Sequence, residues 1–262
     1  MNDYLDLDRF PLDQPERKAY AQLLQQCRDD LAARGMFNLD GLVREAALAD
    51  EVAALAKTLS SNAHTHRKQH NIYFADAVDG LAPEHPALRQ ALTSNRKICG
   101  DQMEGRLMMR LYGWPPLARF LAEVMEKPAL FTMDDPLACV NVMAYGDGEA
   151  LNWHFDRSEF TTTLLLQAPD AGGVFQYRTG LRSDEAPNYD GVGRFLSGED
   201  GAHEEIALSP GTLNVFRGKN TAHRVSPVVG ARERMIAVFS YYEQPGARFS
   251  QTDQRRFYGR VA

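Results

Sequence analysis

The sequence predicts an α+β protein with a mainly β core: a helical first half packed around a sandwich or barrel of short strands. Three observations predict it. In the first half, apolar residues recur at helical spacing. From Pro136 onward, short apolar and β-branched runs alternate with turns marked by Gly and Pro. No flexible linker separates the halves. Residues 1–262 therefore read as a single domain, with a mainly helical region over residues 1–135, a β core over 136–243 and a C-terminal extension over 244–262.

In chain order, Pro15 to Arg34 carries Tyr20, Leu23, Leu24, Cys27 and Leu31 on one helical face, and Gly35 stops it. Met36 to Leu39 reads as a short strand, and Asp40 is expected to cap a helix running through Leu59. His64, His66 and His70 crowd one stretch with Arg67 and Lys68 but no acid or Cys. A solvated or substrate-facing loop is expected there rather than a metal site. Pro83 and Pro86 mark a turn into a short helix, and Asp101 to Tyr112 and Leu117 to Met125 read as further helices. Strands are expected over Cys139 to Tyr145, Thr161 to Gln167, Val174 to Tyr177, Glu205 to Leu208, Thr212 to Phe216, Ala222 to Val225 and Met235 to Tyr242. Arg178 to Gly201 is polar and aperiodic, a long loop with one helical turn.

The 262 residues suffice for a full core. A net charge of -6 argues against a nucleic acid bound across a broad basic face. Three scattered Cys, Cys27, Cys99 and Cys139, form no disulfide framework and suit a reducing cytoplasm. The acidic start, Met1 to Asp8, reads as no signal peptide, and no apolar run is long enough to span a bilayer. The partner expected is a small molecule, not a membrane; a homodimer is left open.

The most informative stretch is Asn152-Trp153-His154-Phe155-Asp156-Arg157. In an extended segment His154 and Asp156 project to one side, two residues apart. His223 opens another strand-like run. Two His and one carboxylate on one face of a metal form a facial triad, the ligand set of non-haem Fe(II) oxygenases, with open coordination positions.

With Arg234 added, the chain resembles the Fe(II)/2-oxoglutarate-dependent oxygenases. The segment from Asn214 to Val228 looks like their distal-His region. In that family a basic residue downstream of the distal His opens the next strand and binds the far carboxylate of 2-oxoglutarate. Arg234, followed by Met235 to Phe239, matches that position, and Arg232, at period two, is the fallback. The resemblance implies a double-stranded β-helix, a cupin-like jelly roll, with helices around it. A narrower resemblance rests on Trp153 to Gln167, Pro169 to Gly173 and Phe257 to Arg260. It points to the branch of radical halogenases and hydroxylases of free amino acids, lysine above all. In those halogenases Gly replaces the carboxylate ligand; here the position is Asp156, which implies a hydroxylase.

The resemblance further implies Fe(II) on His154, Asp156 and His223, with 2-oxoglutarate and O2 as co-substrates and succinate and CO2 as co-products. The planar fork of Arg234 suits a carboxylate in a way Lys does not. Thr163 is either a donor to 2-oxoglutarate or a residue that suits a strand. Tyr145 and Asn141 face the pocket or pack. Asp147, Glu149 and Glu159 offer a partner for a substrate ammonium, Arg96 and Lys97 for a substrate carboxylate. Trp153 alternates away from His154, and His85 and His203 read as surface residues. The expected activity is hydroxylation of a free amino acid, a basic one first. The alternatives are an oxygenase of a peptide- or carrier-bound amino acid and a non-catalytic metal-binding jelly roll.

Overall fold

The computed structural model describes residues 1–262. Its elements run α1 (Lys18–Arg34), β1 (Met36–Leu39), α2 (Glu45–Asn62), β2 (His64–His70), β3 (Ala91–Cys99), α3 (Leu107–Tyr112), α4 (Pro115–Val124), β4 (Phe131–Thr132), β5 (Val140–Tyr145) and β6 (Leu151–His154). There follow β7 (Thr161–Gln167), β8 (Ala171–Gly172), β9 (Phe175–Arg178), α5 (Tyr189–Ser197), β10 (Glu204–Ile206), β11 (Leu213–Phe216), β12 (Ala222–Val225), β13 (Val228–Val229), β14 (Arg234–Phe239), β15 (Tyr241–Tyr242) and α6 (Gln251–Tyr258). Two antiparallel sheets form a jelly roll. The larger has the order β1-β11-β7-β14-β5-β3-β2, the smaller β10-β9-β12-β6.

One face of the large sheet is sealed under helices. Met235, Ala237 and Phe239 of β14, Val140, Val142 and Ala144 of β5, and Leu164 and Leu166 of β7 all enter the main core, which also takes in buried residues of α1 to α4. In α4 the buried residues Leu117, Phe120, Leu121 and Val124 lie on one helical stripe. The alternate residues of the same strands look across at the small sheet. No helix is long and apolar enough to cross a membrane.

Besides the expected β1, two further segments of the first half, β2 and β3, are strands of the large sheet, a departure from the mainly helical expectation. β1 closes one edge, and β2 and β3 close the other. The His-rich stretch is therefore a strand, not a loop. As an edge strand it is mostly exposed, so no apolar alternation betrays it. Asp40 does not cap α2, which starts at Glu45. Its carboxylate accepts from Thr212 Oγ1 at 2.9 Å and ties the turn after β1 to the segment entering β11.

The polar stretch Arg178 to Gly201 hides a full helix, α5. Gly191 and Gly193 lower its intrinsic propensity. Packing overrides this: Val192 and Phe195 bury against Ala87 and Phe155, and Asn188 caps Gly191 N at 3.2 Å.

Asp135 fixes the C-terminal segment to the start of β5. Fully buried, it accepts from Leu137 N (2.9 Å), Ala138 N (3.0 Å), Phe249 N (3.0 Å) and Gln254 Nε2 (2.8 Å). Burial pushes its pKa up, but the bonds from Gln254, Ala138, Phe249 and Leu137 outweigh this and hold it below the ordinary value. Asp135→Ala orphans these donors and is expected to cost about 3 kcal/mol in urea unfolding at neutral pH. The native pKa is depressed, so the contribution is present above the unfolded-state value and is lost as pH falls through the native one. The wild-type and variant stabilities should therefore converge in acid; a gap that widens below pH ~4 contradicts this account.

Candidate metal centre

His154 ends β6 and His223 lies in β12, directly paired across the small sheet. Both are buried. Each ring is aimed by a local backbone acceptor: His154 Nδ1 donates to Asn152 O at 2.7 Å, and His223 Nδ1 to Thr221 O at 2.9 Å. With the proton on Nδ1, both Nε2 lone pairs are free and point inward. Asp156 meets them there, with Oδ1 3.4 Å from His154 Nε2 and Oδ2 3.3 Å from His223 Nε2. One ligand atom from each residue lies within 4.8 Å of the others.

The electrostatics suit a cation. Burial pushes the His154 pKa down, helped by His223, so the imidazole is neutral. Burial alone would raise the Asp156 pKa, but His223 and His154 hold it well below the usual carboxylate range. Two imidazoles presenting Nε2 and a carboxylate fit a divalent ion such as Fe(II) and leave coordination positions open.

Asp156 lies past the strand end and is fixed by other means. Its amide donates to Gly218 O at 3.0 Å, and Thr161 Oγ1 donates to Oδ2 at 2.5 Å. A Cβ on Gly218 would collide with both Oδ2 and the Thr161 hydroxyl. Only glycine lets the two chain segments close on the carboxylate.

The triad opens into a cavity of about 180 Å³ between the sheets. Arg234 lines the same cavity and is 2% exposed. Its Nε donates to Gly173 O at 3.0 Å, while its Nη1 is buried without a partner. Its charge centre lies 5.9 Å from the Tyr145 ring centroid. Burial pulls its pKa down to about 10, against the opposing effect of Tyr145. Gly173 gives the side chain room, since a Cβ there would sit 3.0 Å from Arg234 Cδ. A buried guanidinium with a free nitrogen fits a ligand carboxylate.

The structure thus brings His154, Asp156, His223, Arg234, Thr163 and Tyr145 to one cavity. The fallback Arg232 is exposed, in the loop before β14. Trp153 faces the other way, against Phe195 and His203. Asn141 is tied to Leu137 O and Tyr258 and does not line the cavity. The three acids near the motif are taken elsewhere: Asp147 by Gly230 N, Glu149 by Ser94 and Gly146 N, Glu159 by Lys127. His85 is not free on the surface; it caps the helical turn that Pro86 opens, accepting from Ala87 N, and pairs with Asp190.

Sequence reasoning missed Thr161, Asn214 and Phe74. Asn214 was legible as one polar residue inside the apolar run Leu213 to Phe216. Phe74, at φ 54, stacks on His70 at 4.5 Å and meets the His154 ring edge-on at 5.7 Å; no sequence signal marks it.

A protein-family model described as Halogenase D matches residues 19–255. No curated protein matches the chain. Among solved structures, an oxidoreductase of the 2OG-Fe(II) oxygenase family from Burkholderia pseudomallei is similar at 17% identity, with 86% of this chain and 92% of that one covered and a TM-score of 0.51. The α-ketoglutarate-dependent epimerase SnoN of nogalamycin biosynthesis is similar at 14% identity, 85% and 83% coverage and a TM-score of 0.58. A prolyl-4-hydroxylase from Pseudomonas putida follows at 14% identity, 82% and 97% coverage and a TM-score of 0.51. At these identities the likeness is one of fold.

The hydroxyl of Thr161 is expected to orient Asp156 for the metal. Thr161→Val should weaken Co(II) binding by about 10- to 100-fold in a spectroscopic titration, with little change in melting temperature. An unchanged metal affinity would remove Thr161 from this role.

Proposed function

Taking as premise that the chain belongs to the Halogenase D family, we propose that it is an Fe(II)/2-oxoglutarate-dependent oxygenase that hydroxylates an unactivated C–H bond of a free amino acid or close derivative. One observation carries this reading: the His154, Asp156 and His223 ligand atoms and the unpaired Arg234 nitrogen open onto one buried cavity. A metal-storing or sensing jelly roll has no use for a second, unsatisfied anion receptor beside its ion.

When bound, Fe(II) with 2-oxoglutarate and O2 supplies an oxidant for the C–H bond, and succinate and CO2 leave as co-products. The chain's own residues do the rest. His154 and His223 present Nε2 because Asn152 O and Thr221 O hold their Nδ1 protons. Asp156 stays ionised and is kept in place by Thr161 and Gly218. Arg234, anchored on Gly173 O, offers Nη1 to the far carboxylate of 2-oxoglutarate. Leu151, Phe175 and Ile236 keep water from this end of the cavity. Asp156 also bears on the choice between hydroxylation and halogenation. Its carboxylate occupies a ligand position that a halide would otherwise need, so the reading is a hydroxylase within a family described as halogenases.

Two outcomes test this. Arg234→Ala should weaken 2-oxoglutarate binding by about 2 to 4 kcal/mol in calorimetry while iron binding persists. The wild-type protein, given Fe(II), 2-oxoglutarate and a panel of free amino acids in high chloride, should yield succinate and a product heavier by one oxygen. Efficient chlorination by the wild type would overturn the role of Asp156, and oxidation at full rate without a keto acid would overturn the whole assignment.

A further inference from the structure

The strand next to the cavity wall is β3, the neighbour of β5 in the large sheet. Met143 of β5 and Ile236 of β14 line the cavity and are directly paired. On the other side of Met143, its ladder partner is Lys97. Residues directly opposite in an antiparallel ladder share a face, so Lys97 stands on this inner face, two strands from Arg234. It is 7% exposed. Its Nζ lies 5.7 Å from the Tyr258 ring centroid, and Tyr258 in turn donates to Asn141 Oδ1 at 3.1 Å.

Lys97 has no counter-ion. Burial pulls its pKa down to about 8, and only the Cys99 sulfur, not a carboxylate, favours its charge. Two residues earlier on the same face, Asn95 is buried with its Oδ1 unpartnered. Arg96, on the opposite face, pairs with Glu233. The nearby acids are committed as described, and Asp135 is saturated by four donors. Beyond the metal triad and Arg234, the interior around β3 thus holds a spare cation and no acid to pair with it. A buried unpaired charge is costly to a fold, so its presence calls for an occupant that neutralises it.

We propose that Lys97 anchors a carboxylate of the substrate, and that the substrate is a neutral or acidic amino acid, or a similar organic acid, rather than a basic one. The proposal rests on the oxygenase reading above. Arg234 and Lys97 then divide the labour on one sheet face, the first holding the co-substrate acid and the second the substrate acid. A side-chain ammonium of the lysine type finds no matching carboxylate.

The test is calorimetry without oxygen on the full protein loaded with Fe(II) and 2-oxoglutarate, using glutamate, norvaline, lysine and norvalinamide as probes. Glutamate or norvaline should bind more tightly than lysine, and norvalinamide, which lacks the carboxylate, more weakly than norvaline. Lys97→Met should weaken binding of the acids about 30-fold or more and leave 2-oxoglutarate affinity unchanged. Removing an unpaired buried cation should also raise the melting temperature, by about 2–4 °C. A lower melting temperature marks Lys97 as a structural group and overturns the proposal. So does acid binding by Lys97→Met equal to wild type, a loss of 2-oxoglutarate affinity in that variant, lysine as the tightest probe, or no binding by any probe. If the wild type binds neither iron nor 2-oxoglutarate, the oxygenase reading itself has failed and this inference falls with it.

Discussion

The structure depends on the two-residue period of the large sheet, one face of which is sealed under helices. In β14, Met235, Ala237 and Phe239 enter the main core, while Arg234 and Ile236 face the cavity. β7 repeats the division with Leu164 and Leu166 against Thr161 and Thr163. A slip of one residue would send Arg234 into the helical core and Met235 into the cavity, and both exchanges are heavily penalised. Helix packing, far from any reacting atom, therefore fixes which side chains reach the cavity.

The small sheet contributes precision of another kind. Its strands are short, but the pairing of His223 with His154 sets the rings side by side, tilted by 54° with centroids 4.1 Å apart. Immediately beyond that pair the register shifts, a local irregularity of the sort found beside functional sites. Each ring is steered by a carbonyl two residues earlier in its own chain. Ring orientation is thus a local property, while the distance between rings is a ladder property.

Much of this was legible from residue types alone. The run Asn152 to Arg157, His223 and Arg234 are chemically distinctive, and the turns of the second half mark its strands. What stayed hidden has physical reasons. The strand β2 is a sheet edge, where polar residues are tolerated on both faces, and β3 beside it turns polar residues, Thr93, Asn95 and Lys97, to a buried face, so neither shows an apolar alternation. The helix α5 contains two glycines and exists because its apolar residues find a partner surface. Asp40 has the chemistry of a cap, yet its acceptor serves a strand across the fold. Arg96 and Lys97 look equivalent in sequence, and only the face on which each lands distinguishes a surface ion pair from a buried, unpaired ammonium. Thr161 and Gly218 act through contacts with Asp156 that no spacing rule encodes.

The position of Asp156 has a consequence for descent. Its side chain contributes nothing to strand pairing, since β6 ends at His154, and its polar contacts are with the two imidazoles and Thr161. Exchange of this aspartate for glycine, a single-base change in either of its codons, would leave both sheets and the helical core as they are. The scaffold therefore places this candidate ligand outside the ladders that hold the sheets together. Lineages sharing this architecture can vary the residue at this position without rewriting either strand register.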